Sequence, residues 1–119
     1  MLNYSESCNN FCFFKLFFGC SNLVTAPALP ATTLASNCYQ SMLQGCTSLV
    51  NAPALPATVM TNYCYQSMFQ DCSSLINAPA LPATAMATRC YIAMFKNCTS
   101  LTTAPALPAT GYMISYCYS

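Results

Sequence analysis

Ten cysteines carry most of the chemistry this chain could perform: Cys8, Cys12, Cys20, Cys38, Cys46, Cys64, Cys72, Cys90, Cys98 and Cys117. A thiolate can act as a nucleophile, a soft metal ligand or half of a disulfide. A nucleophile needs a base beside it, and the sequence has no histidine. Its two carboxylates, Glu6 and Asp71, lie in different parts of the chain with no acidic neighbour. No phosphate loop, nucleophile elbow or HExxH pattern is present. The residues therefore argue against an enzyme, and no catalytic or cofactor-binding residue is expected. A zinc site needs paired thiols, and Cys8 with Cys12 is the only close pair, so no metal site is expected.

The spacing of these cysteines points to architecture. Cys12, Cys38, Cys64 and Cys90 are each 26 residues apart, and Cys20, Cys46, Cys72 and Cys98 keep the same step. Ala-Pro-Ala-Leu-Pro-Ala-Thr occurs four times, at residues 26–32, 52–58, 78–84 and 104–110. A fixed period of this length marks a repeat array in which each unit covers its neighbour's apolar face. The expected division is an N-terminal extension or cap at residues 1–10 and a four-repeat array at 11–119 that ends in a truncated fifth repeat.

Each repeat reads as a short helix followed by an extended segment. At 100° per residue, Cys38, Tyr39, Met42, Leu43 and Cys46 fall on one face, with Gln40, Ser41, Gln44 and Gly45 opposite. Gly45 and its column mates Gly19, Asp71 and Asn97 stand where a left-handed residue would end that helix. Two prolines per repeat then limit strand pairing. The expected fold class is an α/β repeat solenoid, a leucine-rich-repeat-like stack of about four helix-plus-short-strand coils with a narrow parallel ladder.

Within one helix, Cys38 and Cys46 would be about 12 Å apart, beyond the ~7 Å reach of a disulfide. Between repeats, the Cys46 column would have neighbours roughly 4.8 Å apart, where either a disulfide or a ladder of buried thiols is possible. The balance favours buried thiols. The tyrosine column (Tyr39, Tyr65, Tyr91, Tyr118) sits in the core arc and reads as packing.

Only 4% of residues are charged and the net charge is +1, so no basic patch exists to neutralise phosphates. Nucleic acid is not an expected partner. Residues 11–20 are apolar but in register with the repeat, and they contain Lys15, so they read as the first repeat and not as a secretion signal. No apolar run reaches the ~20 residues of a membrane span.

The repeat resembles the surface leucine-rich repeats of the BspA-like family. The matching residues are Met68-Phe69-Gln70-Asp71-Cys72-Ser73-Ser74-Leu75 and Met94-Phe95-Lys96-Asn97-Cys98-Thr99-Ser100-Leu101, each followed soon by Ala-Pro-Ala-Leu-Pro. The resemblance implies a curved solenoid and a non-enzymatic recognition or adhesion role at a cell or virus surface, with an extracellular location and a protein or glycan ligand.

Two candidate surfaces follow. A binding strip of Asn51, Pro53, Leu55, Asn77, Pro79 and Leu81 faces outward if Leu49, Ala52 and Ala54 face inward. Apolar ends at Phe14, Phe18, Met113, Ile114, Tyr116 and Tyr118 could instead meet other chains. The alternative function is therefore a structural protein that self-assembles end to end into a filament or larger assembly, as a homo-oligomer.

Overall fold

A computed structural model describes residues 13–29, 34–57, 61–81, 87 and 89–102. The expected N-terminal extension or cap at residues 1–10, and the expected end contacts Met113, Ile114, Tyr116 and Tyr118, lie outside them. We name the described parts coil 1 (13–29), coil 2 (34–57), coil 3 (61–81) and coil 4 (87 and 89–102).

The expected helix-plus-strand solenoid is not what forms. Among the described residues there is no helix, and strand pairing is reduced to two isolated parallel bridges, Thr25 with Asn51 and Asn51 with Asn77. In place of the helix each coil runs through a series of overlapping tight turns. Cys38, Gln40, Met42, Gln44 and Cys46 each donate their backbone N–H to the carbonyl three residues back. Every fourth residue of the run has positive φ: Asn37, Ser41 and Gly45 in coil 2, Tyr63, Ser67 and Asp71 in coil 3, Arg89, Ala93 and Asn97 in coil 4. A positive φ at the third position of a turn is the type II geometry. Three such residues in nine forbid α-helix, whose φ is near −63° throughout.

The apolar pattern fits this conformation better than it fits a helix. Cys38, Tyr39, Met42, Leu43 and Cys46 are buried. They recur as pairs every four residues, in step with the positive φ values, whereas a helix has 3.6 residues per turn. Over nine residues the two periods differ by less than one position, so the same inward residues are selected under either.

The turn run also couples the coils. The residues between the turn donors send their N–H groups to the next coil: Tyr39 to the Cys64 carbonyl, Ser41 to Gln66, Leu43 to Met68 and Gly45 to Gln70, at 2.8–3.0 Å. Coil 1 repeats this onto coil 2, and coil 3 onto coil 4. Each backbone group therefore has one assigned use. Through the turn run of coil 2, residues 37–45, even-numbered N–H groups and odd-numbered carbonyls close turns, while odd N–H and even carbonyls join coils. This satisfies the requirement that buried backbone groups be paired without any helix or sheet.

Stacking at a constant step brings identical side chains into file. Phe13, Tyr39, Tyr65 and Tyr91 form one aromatic column with centroids 5.5–5.9 Å apart and rings within 10° of parallel. These separations lie in the favourable range for aromatic pairs. Met42, Met68 and Met94, with Leu49 and Leu75, fill the space beside it and are fully buried. The molecule is a slab, 35 × 32 × 17 Å, with a radius of gyration of 12.9 Å. No helix among the described residues is long and apolar enough to cross a membrane.

Candidate functional site

The thiols occupy two files. Cys38, Cys64 and Cys90 are buried in the core, and the second file runs Cys20, Cys46, Cys72, Cys98. All seven are free thiols. In the second file three Sγ atoms donate to a carbonyl of the preceding coil: Cys46 to Phe17 at 3.2 Å, Cys72 to Leu43 at 3.1 Å, Cys98 to Phe69 at 3.0 Å. Burial pushes the Cys64 and Cys72 thiols up from 9.0 to about 12, and Cys46 and Cys98 to about 11. Burial likewise raises Tyr65 well above the usual phenol range. Such groups stay protonated at neutral pH and make poor nucleophiles. Cys20 differs from its file mates in being exposed. Among the described residues no three of His, Cys, Asp or Glu are grouped to hold a metal ion.

The binding strip keeps its expected phase at Asn51 and Asn77 and loses it at the leucines. Leu55 is 3% exposed and Leu81 7%, and Pro79 is buried as well. Asn51 and Asn77 are exposed, Pro53 is half-buried, and Ala54 and Pro56 point outward in place of the leucine. The reason is volume: a leucine fills the core where an alanine would leave a gap. What remains outside is a polar file, with Asn77 donating from its side chain to that of Asn51 at 3.4 Å. Beside it lies an apolar hollow of about 360 Å3 lined by Ala26, Ala28, Leu29, Pro53, Ala54 and Pro56.

Of the expected end contacts, Phe14 and Phe18 are exposed, and Leu16 and Val24 join them on coil 1. Lys15 lies over the Phe14 and Phe18 rings, its Nζ 5.2 and 5.1 Å from their centroids. Side-chain reading missed the backbone edges. Coil 1 uses its odd N–H groups on coil 2, which leaves the Leu16 and Phe18 carbonyls without an acceptor role among the described residues. Coil 4 has the converse edge, where the Phe95 and Asn97 N–H groups have no acceptor among the described residues. In the extended segments the direction reverses: Ile76 N–H donates back to the Val50 carbonyl, and Val50 to Val24. There Val24 N–H on coil 1 and the Thr102 carbonyl on coil 4 stand open among the described residues. One face thus offers acceptor, acceptor, donor, and the other offers donor, donor, acceptor. The signal was the 26-residue identity of spacing, which makes every coil edge a copy of the next. Compared with family models, with curated proteins and with solved structures, the chain finds no match in any of the three.

Proposed function

We propose that this chain is a non-enzymatic structural module that associates end to end through the outer faces of its coil stack. The observation that carries this reading is the complementarity of the two faces in hydrogen-bond donors and acceptors. Coil 1 also presents Phe14, Leu16, Phe18 and Val24, each more than a third exposed. Phe14 and Phe18 share Lys15 across their rings, an exposed apolar pairing of the kind that marks interaction surfaces, and a net charge of +1 provides little self-repulsion. Open backbone edges are templates for another chain. A heterologous contact of this type gives rings or filaments according to whether its rotation closes.

Sedimentation velocity over a hundredfold range of concentration tests the reading. Species that grow in whole-chain steps, with elongated particles by negative-stain microscopy, are expected. A single monomeric species throughout would refute it.

A second reading, recognition of a protein partner, is favoured by the hollow between the Ala-Pro-Ala-Leu-Pro segments. Its volume is within the range of small-group sites and its lining is apolar. It would take an aliphatic or proline side chain. Ala54→Glu would abolish capture of such a partner and leave end-to-end growth intact.

A further inference from the structure

We infer that the joint between copies continues the 26-residue step without a break, with coil 4 of one copy seated on coil 1 of a second copy in the register found within the chain. This rests on the assembly reading and goes beyond it by fixing polarity and residue pairing.

Each inter-coil bond between backbone groups obeys one of two rules. In the turn run, the N–H of a residue meets the carbonyl 25 positions later; in the extended segment, the N–H of Ile76 meets the carbonyl 26 positions earlier. Applied across the joint, the first rule sends Phe95 N–H to the Leu16 carbonyl and Asn97 N–H to the Phe18 carbonyl of the second copy. The second rule sends Val24 N–H of that copy back to the Thr102 carbonyl. One placement therefore answers open groups of both senses. Two coil 1 faces laid in the same direction would set acceptor against acceptor and donor against donor, whereas the head-to-tail placement pairs all three groups.

The side chains agree with this register. Phe69 stacks on Phe95 at 5.7 Å, and the next member of that file is Phe17 of the second copy. Phe17 and Phe95 are each half-buried, so each has area left to cover. The cations fall opposite neutral partners: Lys15 meets Ala93, and Lys96 meets Phe18, a cation beside an aromatic ring. Within the chain the file of Phe18 and Lys96 is filled by Gln44 and Gln70.

Phe18 and Lys96 are both exposed, so substitutions there spare the core. Phe18→Lys sets lysine against Lys96 across the joint and should weaken association by about fivefold at low salt. Adding Lys96→Glu to the same chain turns that repulsion into an ion pair. It should restore association to the wild-type level or above, and the restored level should fall as salt screens the pair. Both are read by sedimentation velocity. If the wild type associates but Lys96→Glu fails to rescue Phe18→Lys, the register is wrong while end-to-end assembly stands. If the wild type does not associate at all, the assembly reading fails and takes the register with it.

Discussion

At the scale of single residues, the left-handed positions test the conformation most directly. Ala93 has φ of +54° in the turn run of coil 4. An L-residue there costs about 1–2 kcal/mol that glycine does not. Ala93→Gly should therefore stabilise the chain by about 1 kcal/mol in urea denaturation. In a helix interior the same change would destabilise by a similar amount, so the sign of the shift decides between the two backbones. The thiols give a second residue-level test. Well below pH 9.0 they are protonated in both folded and unfolded chains, and stability is unaffected. As pH rises from there toward about 11–12, the unfolded chain releases protons that folded Cys46, Cys64, Cys72 and Cys98 still hold. Stability must fall across that window, and an alkaline unfolding midpoint that is unchanged in a Cys64→Ala, Cys72→Ala variant would show that other groups drive it. At neutral pH, timed alkylation with mass spectrometry should modify Cys20 well before the six other described cysteines, because it alone is exposed.

At the scale of the coil, the inward residues were legible in the sequence and the backbone was not. Cys38, Tyr39, Met42, Leu43 and Cys46 form one face at helical spacing, and all five are buried. A four-residue period and a 3.6-residue period pick the same members over so short a run. The left-handed column at Gly19, Gly45, Asp71 and Asn97 was also visible, because glycine, aspartate and asparagine tolerate positive φ. The companion columns were hidden: Lys15, Ser41, Ser67 and Ala93 give no local sign of positive φ. At Lys15, Ser41 and Ser67 the N–H is held by a carbonyl of the neighbouring coil, and that is a property of the stack. The leucine of Ala-Pro-Ala-Leu-Pro was placed on the wrong side because alternation alone leaves two phases open. Its burial was decided by the core it completes. Tyr65 tests this level, since it touches a ring on each side in the aromatic column. Tyr65→Ala should cost about 3–5 kcal/mol, while Tyr65→Phe keeps the stacking and should cost much less. Equal losses in the two variants by thermal denaturation would mean that the hydroxyl, and not the stack, carries the stability.

For the molecule as a whole, parity along the chain is the governing constraint. In the turn run of coil 2, odd-numbered N–H groups reach the next coil and even-numbered ones close turns. A shift of one residue exchanges the two roles at every position downstream, and it also turns the aromatic column away from its neighbours. Removing residues 43–68, one whole period, joins Met42 to Phe69 and preserves both parity and side-chain file. The shortened chain should still unfold cooperatively, with a smaller denaturant slope because less surface is buried. Removing residues 43–67 deletes one residue fewer and places two core methionines side by side in the sequence, Met42 and Met68. Composition and hydrophobicity hardly differ between the two deletions. If burial alone held the coils together, the two would be similarly stable. If the alternating backbone bonds set the register, the second should lose its cooperative transition in urea while the first keeps it, and two deletion chains with equal transition midpoints would rule out the parity constraint.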